Sequence, residues 1–215
     1  MSNELAYNIN HPKKFSSKSK IIIMLHGYGS NKEDLFSFSD YMNPNDLIIS
    51  IQGPNKIDYG SYCWWTINFD ESMNLSMNIS EAKESIESLH NFISVYLSES
   101  YKFNFENIFL LGFSQGAMIA YALSINYPRF YKKVVGLSGK IPKEILQYKE
   151  KEYYLDHNFF CSHGIYDQVI KINAGRESSN WLLKKEIKHI FLEFESQHNV
   201  SPENFEKMKS WIYDN

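Results

Sequence analysis

Apolar residues fall in short, nearly unbroken runs, separated by longer stretches in which they recur every three or four positions. The short runs, Leu5 to Ile9, Lys20 to Leu25, Leu47 to Ile51, Asn107 to Leu111, Lys133 to Leu137, Phe159 to Ser162 and His189 to Glu195, predict strands. Most are apolar almost throughout, as strands buried on both faces must be. The intervening spacing predicts helices over Lys32 to Tyr41, Ser80 to Leu97, Gly116 to Asn126, Ile172 to Glu186 and Ser201 to Tyr213. In the second of these, Ala82, Ile86, Leu89, Ile93 and Leu97 make one stripe, read as core packing. Pro128 stops the third, because proline drives the preceding residue out of helical geometry. Strand and helix alternating in this way argue for the α/β class, a mostly parallel sheet with crossover helices on both faces. No repeat, low-complexity tract or linker breaks the pattern, so a single domain over residues 1–215 is expected.

Charge and composition then remove function classes. With 22 basic against 25 acidic residues the net charge is -3, and no long basic run appears, so nucleic acid is not an expected partner. Met1-Ser2-Asn3-Glu4 has neither a positive flank nor an apolar stretch, and Ile21 to Leu25 is too short to span a bilayer. A cytoplasmic protein without stable membrane insertion is therefore expected. Cys63 and Cys161 are the two cysteines; they make no disulfide framework and are read as reduced, structural thiols. His11, His90, His157, His163 and His189 lack metal-ligand spacing with cysteines or carboxylates, so no metal is expected.

Candidate chemistry begins at Gly112-Phe113-Ser114-Gln115-Gly116, which lies between a predicted strand and a predicted helix. A serine on such a sharp turn stands clear of the sheet, and the flanking glycines let neighbouring backbone approach. The competing reading is a serine that merely caps the helix. A serine hydroxyl needs an adjacent base, and the base needs an acid to orient it. The order serine, acid, histidine, each after a strand, is met by Ser114, by Asp167 in the turn His163-Gly164-Ile165-Tyr166-Asp167, and by His198 after Ser196-Gln197. Alone, Asp167 could be a solvated loop carboxylate and His198 a surface histidine; their order and strand-end positions argue otherwise. His163 is expected to serve the loop carrying Asp167 rather than the chemistry. An oxyanion hole needs two backbone N–H donors, here expected from Gln115 and from Tyr28 in His26-Gly27-Tyr28-Gly29. His26 itself is expected to stabilise its loop.

With these residues in place the chain resembles the phospholipase/carboxylesterase family of α/β-hydrolases, which includes the acyl-protein thioesterases. The resemblance covers nearly the whole length. It rests on Leu25-His26-Gly27-Tyr28-Gly29-Ser30-Asn31, on Gly112 to Ala117, on His163-Gly164 with Asp167 and Val169, and on His198 before the last helix. It implies an α/β-hydrolase fold without a cofactor or metal, a triad of Ser114, Asp167 and His198, and a small-molecule acyl ester or thioester as substrate. It also suggests Trp64, in Cys63-Trp64-Trp65, as a wall of the acyl groove. The family often has glycine beside the catalytic histidine, whereas Gln197 and Asn199 flank His198 here.

Substrate clues are thinner. Gly139 to Asn158 leaves room for a short helix and a loop, so no cap domain and a rather open site are expected. Trp64 and Trp65 fit either a core or a groove. Met73 to Ile79 alternates apolar and polar residues, and Met73, Leu75 and Met77 would face an acyl chain if the stretch is a flap, or the protein body if it is an edge strand. The leading expectation is a carboxylesterase for short to medium acyl chains. Against it stand a long-acyl thioesterase or lysophospholipase, a hydrolase-fold binding protein without turnover, and a cysteine hydrolase using Cys161.

Overall fold

The structure, a computed structural model, describes residues 5–16, 18–69, 75–102 and 104–214. Its strands are β1 (Tyr7–Asn10), β2 (Ile21–Leu25), β3 (Leu47–Ile51), β4 (Asn55–Asp58), β5 (Ser61–Cys63), β6 (Ile67–Phe69), β7 (Leu75–Met77), β8 (Ile108–Phe113), β9 (Lys133–Leu137), β10 (Asn158–Gly164) and β11 (Lys188–Phe194). Seven of them form the central sheet in the order β1-β3-β2-β8-β9-β10-β11. Every pairing in it is parallel except that of β1 with β3, where Tyr7 lies opposite Ile51. The run predicted from Leu5 to Ile9 is thus an antiparallel edge strand. Its sequence, with Asn8 and Asn10 alternating with apolar neighbours, needs no cover on both faces.

Alternation along the buried strands divides the core in two. Ile21, Ile23 and Leu25 face α1 (Ile79–Asn91), α3 (Gln115–Asn126) and α4 (Ile172–Lys184). Ile22 and Met24 face α5 (Pro202–Asp214) and Leu35. Between α1 and α3 a π-helical stretch, Phe92–Leu97, runs into the short α2 (Ser98–Tyr101). The α-helix predicted over Lys32 to Tyr41 is instead a 3-10 helix, Leu35–Tyr41. Short polar side chains there compete with the helical ladder, Ser37 Oγ donating to the Asp34 carbonyl and Ser30 Oγ to the Asp34 carboxylate.

Two hairpins complete the fold: β4–β5, where the sequence predicts no strands, and β6–β7, whose second strand falls within the Met73 to Ile79 stretch read as a flap or an edge strand. Between β9 and β10 stand only two 3-10 turns, Lys143–Ile145 and Lys151–Tyr154, so this crossover builds no cap domain. Among the described residues no helix is long and apolar enough to cross a membrane.

Candidate active site

Ser114 occupies the single residue between β8 and α3, with φ 54° and ψ −117°. A non-glycine residue at positive φ is strained and persists only where its surroundings fix it. Here the Ser114 N–H donates to the Leu137 carbonyl of β9 at 2.8 Å. The turn nests so closely that a Cβ on Gly116 would lie 1.9 Å from the Leu25 carbonyl oxygen, and one on Gly112 would lie 2.2 Å from that of Gly116. Although Ser114 stands at the N-cap of α3, its side chain makes no capping bond. Its Oγ lies 2.9 Å from Nε2 of His198 instead, which sets the helix-cap reading aside.

On its other side, His198 Nδ1 meets Asp167 Oδ2 at 2.6 Å. A carboxylate accepts, so this contact places the ring proton on Nδ1 and leaves Nε2 to accept from the Ser114 hydroxyl. The second carboxylate oxygen of Asp167 accepts the backbone N–H groups of Val169 and Ile170 at 2.8 and 2.9 Å. The acid side chain is wholly buried, the histidine partly open, and the Phe113 ring packs 4.9 Å from the imidazole. Serine, acid and base hang from the carboxyl ends of β8, β10 and β11. Their loops are stitched together, Tyr166 N–H donating to the Ser196 carbonyl at 3.0 Å.

The turn after β2 faces the same serine. A Cβ on Gly27 would touch Ser114 Cβ at 3.4 Å, and among the described residues the N–H groups of Tyr28 and Gln115 carry no backbone hydrogen bond. The β4–β5 hairpin braces this turn. Gly29 N–H donates to the Tyr62 carbonyl at 2.9 Å and Tyr62 N–H to that of Ser30 at 2.8 Å. Ser61 Oγ donates to the Gly29 carbonyl at 2.5 Å. His26 is fully buried; one ring nitrogen bonds the Gly27 carbonyl at 2.7 Å and the other accepts Gly53 N–H at 2.9 Å. Burial pushes its pKa down, so it holds the loop as a neutral ring.

A model described as phospholipase/carboxylesterase matches residues 8–215. The chain belongs to that family. It is similar to acyl-protein thioesterase 1 of Yarrowia lipolytica, 24% identical over 208 residues that cover 90% of this chain and 91% of the relative. In structure it is similar to a carboxylesterase of Bacillus cereus, with a TM-score of 0.83 at 20% identity over 99% of this chain and 95% of that one. Acyl-protein thioesterase 2 of Zea mays gives 0.78 at 20% identity, covering 97% and 98%. At such identity the structural likeness speaks for the fold, which is that of the carboxylesterases.

Within this family fold Trp64 requires a correction. It is 0% exposed, with its indole N–H donating to the His26 carbonyl at 2.9 Å, so it packs in the core beneath the loop and not along a groove. Trp65 is buried as well. The indole finds a buried partner there, which is what lets so large an amphipathic ring go inside. Of the other expected substrate contacts, Met73 lies outside the described residues, Leu75 is placed by its backbone in β7, and Met77 leans on the core. The alternation of Met73 to Ile79 thus ends in a short strand paired with β6, Ile67 lying opposite Met77. Cys161 is buried in β10, and burial pushes its thiol up to about 12, far from the range of a thiolate nucleophile. The Gln115 side chain, which the sequence reading used only for its backbone, is hydrogen-bonded to the tryptophan segment.

Proposed function

We propose that the protein is a serine carboxylesterase that hydrolyses short- to medium-chain carboxylic esters through an acyl-enzyme on Ser114. The observation that carries this reading is the continuous series Ser114 Oγ, His198 Nε2, His198 Nδ1 and Asp167 Oδ2, with gaps of 2.9 and 2.6 Å. Ser114 attacks the acyl carbonyl while His198 takes its proton, and buried Asp167 stabilises the imidazolium that forms. The N–H groups of Gln115 and Tyr28 receive the negative oxygen of the tetrahedral intermediate. His198 then protonates the leaving alkoxide, and a water activated by the same ring releases the acid.

The short crossover between β9 and β10 supports a modest acyl length. A site without a cap buries little chain, and each further CH2 contributes at most about 0.8 kcal/mol where it is buried. A second reading, a thioesterase or lysophospholipase for long acyl chains, is favoured by the similarity to acyl-protein thioesterase 1 over 91% of that relative.

Activity labelling with a fluorophosphonate tests the chemistry. The wild-type protein should be labelled and S114A should not, with turnover of p-nitrophenyl esters lower by about four to six orders of magnitude. An unlabelled wild-type protein would instead be a hydrolase-fold binding protein. A kcat/KM that rises steadily through long chains would replace the carboxylesterase by the long-acyl reading.

A further inference from the structure

His163 lies at the end of β10 with its side chain completely buried, yet it is not part of the hydrogen-bonded series at Ser114. Its Nε2 is 2.6 Å from the Ile170 carbonyl oxygen and 3.4 Å from Asp167 Oδ2. A carbonyl can only accept, so the proton must sit on Nε2. The other nitrogen, Nδ1, is buried without a partner. It faces α4 at close range: a Cβ on Gly175 would stand 2.7 Å from it. A proton on Nδ1 would meet no acceptor there, and a buried donor left unpaired is costly.

The same residue that His163 holds by its carbonyl is the one Asp167 holds by its N–H. Ile170 N–H donates to Asp167 Oδ1 at 2.9 Å, while the Ile170 carbonyl accepts from His163 at 2.6 Å. The remaining carboxylate oxygen is then aimed at His198. We propose that His163, protonated on Nε2, is a positioning residue that fixes the Ile170 peptide and, through it, the carboxylate of Asp167 against His198. His163 does not serve as a base, because its Nε2 proton is committed to Ile170 and the ring has no exposed surface. Glu193, opposite His163 on β11, has its carboxylate hydrogen-bonded to Arg176 of α4.

This inference rests on the proposed role of Asp167, and H163F tests it by keeping a ring of similar size while removing the N–H. Letting the carboxylate drift by an ångström or less should lower kcat by roughly 10- to 100-fold with KM changed less than about twofold. The downfield proton resonance of the His198–Asp167 bond should broaden or vanish in the same variant. H163Q, which restores an amide N–H, should recover most of both. Wild-type kcat in H163F, an undisturbed resonance, or no recovery in H163Q would overturn the proposal. Should H163F fail to fold, long-range nitrogen–proton NMR of the wild-type protein decides: a proton on Nε2 of His163 supports it and one on Nδ1 overturns it. Fluorophosphonate labelling of Ser114 beside an unimpaired H163F would remove this proposal alone. Absence of labelling would remove the proposed function, while the resonance still reports on the positioning.

Discussion

The side chain of Gln115 is hydrogen-bonded to the main chain of Trp64, its Oε1 accepting the Trp64 N–H at 2.9 Å while its Nε2 donates to the next carbonyl, that of Trp65, at 2.8 Å. The residue whose N–H is assigned to the proposed oxyanion hole therefore also anchors the buried aromatic segment with its side-chain amide. The segment is held from the far side as well, where Ser85 Oγ donates to the Trp64 carbonyl and Thr66 N–H to the Glu81 carboxylate. Q115A keeps the backbone donor but leaves a buried N–H and a buried carbonyl short of a partner. Each such group costs about 1–3 kcal/mol, so urea denaturation should show a loss of at least about 2 kcal/mol. A midpoint equal to that of the wild type would show that water replaces the amide without cost.

Changes in the turn after β2 should separate backbone from side chain. Gly27 has room for little: a Cβ there would lie 3.3 Å from the Phe113 ring and 3.4 Å from Ser114 Cβ. G27V should push the Tyr28 N–H away from the serine and lower kcat by about 100-fold or more, the usual effect of a lost oxyanion donor. Y28F should keep turnover within about threefold, since the group at work is the N–H. Equal and severe losses in both variants, measured on the same ester, would transfer the role to the tyrosine hydroxyl.

Stability should fall on mild acidification, and one buried and one half-buried histidine give the sign. Burial pushes the imidazoles of His157 and His90 down to about 4, from 6.5 in the unfolded chain. Between those values the unfolded state binds more protons than the folded one, so folding stability decreases as pH falls through that interval. The slope is at most about 1.4 kcal/mol per pH unit for each ring, and less for His90, which is only half-buried. His157 packs against the Tyr154 and Phe159 rings at 5.1 and 6.0 Å, so H157F should fold and should flatten the pH dependence of the urea midpoint. An unchanged slope would assign the acid sensitivity elsewhere.

The features legible in the sequence are those that depend on local order. Ser114, Asp167 and His198 each follow a strand-like run, so their order along the chain already suggested a common edge of the sheet, and the structure brings all three within hydrogen-bond reach. Trp64 was not legible, because an aromatic pair beside a cysteine has the same appearance in a core as in a groove, and the deciding bond to His26 spans 38 positions. The Gln115 clamp spans 51 and has no local signature. The β4–β5 hairpin did have one, Asp58-Tyr59-Gly60 between two short runs, but runs of three and four residues carry too little alternation to be recognised. At Leu35–Tyr41 the helical spacing was present and the competing side-chain bonds of Ser30 and Ser37 prevailed.

The position of β11 at the sheet edge has a kinetic consequence. His198 follows this strand and meets Ser114 across 84 positions of sequence, a contact whose loop-closure entropy must be met before it yields any stabilisation. Within the sheet β11 pairs with β10 alone, Gly164 lying opposite Phe194. Turnover after dilution from denaturant should therefore recover no sooner than this edge strand is seated, since His198 reaches Ser114 only from its carboxyl end.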